Sequence, residues 1–190
     1  MSRAYRIRVQ ESLHRVIRAS DHVSTDLELL DILPPEQMSE LLALELQKRG
    51  FERDGLSVVK QQNGVTITID LESATVTVEV EDHAEVDLEA SREGVADTDW
   101  SGSRSAQSEA RLRKAAQEEL ETQASGRESI LQRQVTNRLE KELGNIRQDL
   151  DEAVNRATAA ALKQRAAEIG QIKEMTEDPE TGSLTIVVEV

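Results

Sequence analysis

From Ser105 to Ile169 the chain carries no proline and two glycines, Gly126 and Gly144. Ala, Leu, Gln, Glu, Arg and Lys dominate the stretch, and these residues lose least on entering a helix. As one helix it is roughly 95 Å long, at about 1.5 Å per residue. A compact domain of this size cannot cover such a rod. The helix must therefore fold back on itself or pair with a second chain.

Leu131, Val135, Leu139, Leu143, Ile146, Leu150, Val154, Ala157 and Ala161 form an apolar stripe along it. Between Leu139 and Ala161 the steps run four, three, four, twice over, a period of eleven residues. An eleven-residue period gives a straight or slightly right-handed coil, where a heptad gives a left-handed one. Leu112, Ala116, Leu120 and Ala124 continue the stripe more weakly. Glycine inside a helix costs about 1 kcal/mol relative to alanine, so a bend is expected near Gly126. Folded back there, the weak stripe covers only half of the strong one. Ile146 to Ala161 is then expected to stand open and to demand a second copy. The expected interface comprises Leu139, Leu143, Ile146, Leu150, Val154 and Ala157, most simply in a homodimer. Acids and bases balance along the stretch, as on a solvated helix face or coiled-coil flank.

The net charge of −14 lies elsewhere, with nine acids against Arg92 alone between Glu79 and Asp99. Such a surface repels phosphate backbones, and single copies of Trp, Tyr and Phe leave no platform for stacking bases. A nucleic-acid partner is not expected, although Arg3, Arg6, Arg8, Arg15 and Arg18 cluster near the start. The chain has no cysteine, hence no disulfide framework or thiolate chemistry. Charges interrupt every apolar run of the first residues, and no stretch is long enough to span a bilayer. A cytoplasmic protein without membrane contact is the expectation.

Tyr5 to Val9 alternates apolar and polar residues, as in a half-buried strand, and Val23 to Leu29 does so again. With Asp21-His22 as a turn, the two predict a hairpin. Pro34-Pro35-Glu36 opens a helix, with Met38, Leu41, Leu42, Leu44 and Leu46 inward and Gly50 as its stop. Leu56 to Lys60, Val65 to Asp70 and Thr75 to Glu81 are rich in Val, Ile and Thr and read as strands, with Asn63-Gly64 as a hairpin turn. Ala84 to Ala90 reads as a further, acidic edge strand. Ile172 to Met175 and Leu184 to Val190 read as strands after a stop at Gly170. The second strand pairs either with the first or with the N-terminal sheet.

The expected class is α+β: a small, mostly antiparallel sheet with one helix, a long coiled-coil-like helical arm and a C-terminal β-hairpin. The expected parts are an α+β head (1–92), an acidic Ser/Gly linker (93–104), the arm (105–170) and the hairpin (171–190). Trp100, in the linker, either covers the head's core or docks on a partner; a solvated emission would favour docking.

No catalytic residue, metal site or cofactor site emerges. His14, His22 and His83 lack a second ligand at helical spacing. No phosphate loop or nucleophile elbow is present.

Three motifs carry a resemblance: Ser2-Arg3-Ala4-Tyr5-Arg6-Ile7-Arg8-Val9, Ile32-Leu33-Pro34-Pro35-Glu36-Gln37-Met38, and Gly170-Gln171-Ile172-Lys173-Glu174 through Thr181-Gly182-Ser183-Leu184-Thr185-Ile186. With them the chain resembles the accessory X proteins of bacterial FtsH ternary systems. There a AAA+ ATPase related to FtsH occurs with von Willebrand factor A proteins and small partners. The resemblance implies a AAA+ ATPase or a von Willebrand factor A protein as partner, and no reaction. A non-enzymatic adaptor or scaffold is the expectation. The alternative is an enzyme using clustered carboxylates, with or without a divalent metal, which calorimetry with Mg²⁺, Mn²⁺ or Ca²⁺ would reveal.

Overall fold

A computed structural model describes residues 4–97, 103–177 and 184–189. Its elements run β1 (Ala4–Asp26), α1 (Pro35–Gln47), β2 (Glu52–Asp54), β3 (Ser57–Gln62), β4 (Val65–Asp70), β5 (Thr75–Asp97), α2 (Ser103–Ile169), β6 (Gln171–Glu177) and β7 (Leu184–Glu189). The five-stranded sheet has the order β1-β5-β4-β3-β2, and β6 pairs with β7 in a sheet of two. The class is the α+β arrangement expected. By its internal contacts the chain forms two compact units: residues 1–20 with 81–135, and residues 21–80 with 136–190.

Several local expectations change. β1 is one strand of 23 residues, not the two arms of a hairpin. Its contacts with β5, Arg8 to Ser91, His14 to Asp87, Ser24 to Thr77 and Thr75 to Asp26, fall in antiparallel order. A partner strand therefore runs beside it throughout and no turn is needed. Asp21, read as a turn residue, instead accepts a hydrogen bond from the Thr136 hydroxyl at 2.7 Å. β5 likewise joins the predicted strands at Thr75 and Ala84 and runs on to Asp97, into the stretch assigned to the linker. Trp100 lies outside the described residues.

α2 passes through Gly126 without interruption. A Cβ there would meet nothing within 4 Å, so the glycine sits on the open face and its cost is intrinsic propensity alone. The eleven-residue period appears directly in burial: Ala124, Val135, Ile146 and Ala157 are buried, as are Leu139, Leu150 and Ala161. The helix neither folds back on itself nor leaves this stripe open.

In the first unit, the half-buried and buried residues of β1 and β5 alternate with exposed ones, and Ala90 packs with Ala116 and Leu120. Leu13 and Leu88 flank that cluster. The small apolar core is rimmed by ion pairs, Arg15 to Glu121 at 2.8 Å, Arg92 to Glu119 at 2.9 Å and Arg113 to Glu11 at 3.0 Å. Such exposed pairs contribute about 0–1 kcal/mol each; they fix register more than they stabilise.

On the outer face of this unit, His14 Nδ1 lies 2.6 Å from Asp87 Oδ1. That hydrogen bond, then the charges of Asp87 and Glu85, raise the His14 pKa above its ordinary 6.5. The stabilisation is therefore fully present below pH 6.5, the unfolded value, and is lost as pH rises through the higher folded value. NMR titration of the imidazole should give a pKa above 6.5 that Asp87→Asn brings back down. An unchanged midpoint in that variant would refute the pairing.

In the second unit, the β3–β4 turn has positive φ at both Asn63 (53°) and Gly64 (73°), the geometry that suits a tight hairpin to strand twist. Pairing then sets Val58 opposite Ile69, Ile69 opposite Val76, Ile67 opposite Val78 and Val65 opposite Val80. All seven are buried, a single apolar layer. α1 lies against β2 and β3 and ends where Phe51 N–H reaches Leu46 O and Gly50 N–H reaches Gln47 O, with Gly50 at φ 85°. That is a left-handed helix cap with its apolar follower, and Phe51 is buried. Ala43 is buried where Leu44 was expected. Met38, Leu42 and Leu46 share one face at four-residue spacing, and Leu44 lies about 200° round from its neighbours two residues away. Ala161 of α2 closes a cluster with Leu33 and Met38.

Candidate functional site

The second unit holds a cleft of about 710 Å³. One wall is the end of β1 and the residues after it, Val23, Thr25 and Leu27, backed by Val76 and Val78 of β5. The other wall is α2 at Leu143, Ile146, Leu150 and Val154. The strand supplies alternate residues because its side chains repeat every two positions. The helix supplies steps of three and four because its face repeats every 3.6. Glu28, Arg147, Asp151 and Asn155, all exposed, stand at the mouth; Asp26 also lines the cleft, but its carboxylate meets the Thr75 hydroxyl on the sheet face opposite Val76 and Val78.

The helix residues expected to form an interface are placed as follows. Leu139, Ile146, Leu150 and Ala157 are buried within the chain, at 5, 8, 5 and 0% exposure. The expectation that Ile146 onward stands open is thereby corrected, because the sheet side of the same unit covers it. Leu143 and Val154 are half-buried and face the cleft. Sequence reasoning missed Asp26, Glu28, Arg147, Asp151 and Asn155. The alternation from Val23 to Leu29 marked a strand face, but its partner lies more than a hundred residues away.

Asp26 accepts a hydrogen bond from the Thr75 hydroxyl at 3.2 Å. The mouth is electrostatically uneven. Arg147 Nε lies 3.9 Å from Asp151 Oδ2, one helical turn on, with both side chains over two-thirds exposed. Glu28 has no ion-pair or hydrogen-bond partner among the described residues. No group of three or more His, Cys, Asp or Glu side chains gathers to hold a metal among the described residues. What the cleft offers is apolar and polar surface in about equal measure, the means of holding a ligand in place. Among the described residues, no helix is long and apolar enough to cross a membrane.

Over residues 1–190 the chain matches the family described as FtsH ternary system domain X5, and it belongs to that family. Neither a curated protein nor a solved structure matches it.

Proposed function

We propose that this member of the FtsH ternary system X5 family is a non-enzymatic adaptor or scaffold that docks a AAA+ ATPase or a von Willebrand factor A protein of its system. The observation that carries the reading is the cleft of the second unit. Its lining sets valine, leucine and isoleucine beside exposed charged residues, and among the described residues no three His, Cys, Asp or Glu side chains gather to hold a metal. Apolar pockets with a few placed polar groups bind; catalysis also asks for an acid, base or nucleophile within hydrogen-bond reach of one point. Family membership supplies the system in which the partner is sought.

The test is co-purification of the tagged full chain from its host. Recovery of the ATPase or the von Willebrand factor A protein is expected. Val154→Glu, which puts a carboxylate on the cleft wall at a half-buried position, should reduce recovery while the thermal melt stays cooperative. If the wild-type chain brings down neither protein, the adaptor reading fails.

A further inference from the structure

Building on the adaptor reading, we propose that the cleft takes an extended segment of the partner protein in which apolar residues alternate with lysine or arginine. Three features of the second unit specify that chemistry.

The first is space. The cleft, about 710 Å³, is within the range of roughly 300–1,000 Å³ typical of ligand pockets. Its walls carry the branched aliphatic side chains of Val23, Leu27, Ile146 and Leu150 beside about as much polar surface, so it suits a ligand in which apolar side chains alternate with polar or charged ones.

The second is backbone. β1 stands at the end of the sheet order, so along residues 21–26 its outer edge has no strand beside it among the described residues. Val23 and Thr25 of that same stretch line the cleft. A segment that adds to the edge in extended form gains main-chain hydrogen bonds. Its alternate side chains then enter the cleft and the others face out.

The third is charge. Glu28 and Asp151 stand at the mouth against Arg147 alone. The Arg147–Asp151 contact, at 3.9 Å and well exposed, leaves much of the Asp151 charge to its surroundings. Glu28 is unpaired among the described residues. Cationic residues flanking the apolar anchors meet these carboxylates, and an acidic segment is repelled by them. The complementarity therefore selects a basic partner strand over an acidic one of equal hydrophobicity.

The experiment is fluorescence anisotropy on the full chain with labelled ten-residue peptides. One peptide alternates valine and lysine, one valine and glutamate, and one serine and lysine. Binding of the valine–lysine peptide is expected, with each of the others at least tenfold weaker. Glu28→Lys with Asp151→Lys should weaken the valine–lysine peptide at least tenfold. The same two-charge reversal at Glu52 and Asp54, on β2, should leave it unchanged, which separates the cleft from the bulk charge of −14. Hydrogen exchange should slow at the β1 amides when peptide is bound. Equal binding of the glutamate peptide, no binding of any peptide, or an unaffected Glu28/Asp151 variant would each overturn the proposal. Co-purification is scored separately. An ATPase recovered equally by wild type and the Glu28/Asp151 variant refutes this occupant and leaves the adaptor reading standing. Peptide binding without any recovered partner supports the occupant and refutes the adaptor reading.

Discussion

Leu150→Asp is expected to unfold the unit formed by residues 21–80 and 136–190, with loss of its cooperative melt. Leu150 is 5% exposed in a single chain and belongs to the buried eleven-residue stripe with Leu139 and Ala161. Removing a buried leucine side chain costs about 2–5 kcal/mol from lost transfer energy and the cavity left behind. A carboxylate put in its place enters the apolar layer, whereas the side chain of Arg147, about one turn away, is 85% exposed to solvent, and this burial adds a penalty of several kcal/mol. Against a total stability of about 5–15 kcal/mol for an ordinary domain, the sum is enough to abolish folding. Circular dichroism during heating, with Leu150→Ala as the milder member, reads the effect. The alanine variant should melt early but cooperatively, and the aspartate variant should show no transition of the second unit. An aspartate variant that melts like wild type and differs only in sedimentation would mean that this face meets a second chain instead.

The same residue shows what could be read without the structure. The eleven-residue period of α2 was visible because it depends only on spacing along one element, and burial follows it at Ala124, Val135, Ile146 and Ala157. What covers the stripe was not visible. Leu150 lines the same cleft as Val23 and Val76, a neighbourhood across more than seventy residues that no local pattern encodes. The sheet strands β3 and β4 and the turn at Asn63-Gly64 were legible for the same local reason. The long strands were not. In β1, the polar pair Asp21-His22 resembles a turn, yet Asp21 keeps the strand's inward alternation by accepting from Thr136. In β5, the acidic run after Glu81 resembles a separate edge or a linker, yet its outward carboxylates share a face with His14 and Arg8 of β1, as at His14–Asp87 and Arg8–Glu93. The carboxylates at the mouth of the cleft were hidden for a further reason. In a chain with 37 acidic residues, Glu28 and Asp151 stand out only once folding sets them beside an apolar hollow.

Gly170→Ala is the second large expected effect, and it is local. Gly170 ends α2 with its N–H on Ala166 O at 3.2 Å. A Cβ at this position would fall 2.2 Å from the Glu189 carbonyl oxygen and 3.0 Å from Val188 Cγ1. The first contact is with backbone, so no side-chain rotation relieves it; β7 must move. The pairs nearest the clash are Gln171 with Glu189 and Ile172 with Val188, next to the register shift between Ile172 and Glu174. Forcing a methyl into a filled space costs about 1–3 kcal/mol, and a two-stranded hairpin holds little stability in reserve. The exposed Lys173–Glu189 ion pair, 2.7 Å, cannot offset that cost. Amide hydrogen exchange is the direct measurement, because it reads local opening apart from global unfolding. Protection at β7 should fall by about tenfold or more, each 1.4 kcal/mol being a factor of ten. Amides of β3 and β4, in the apolar layer with Val58 and Ile69, should exchange as in wild type. Gly126→Ala, where a Cβ meets nothing within 4 Å, is the control for adding a methyl group as such. If Gly170→Ala leaves β7 as protected as that control does, the close approach of Gly170 to Glu189 does not hold the hairpin in register.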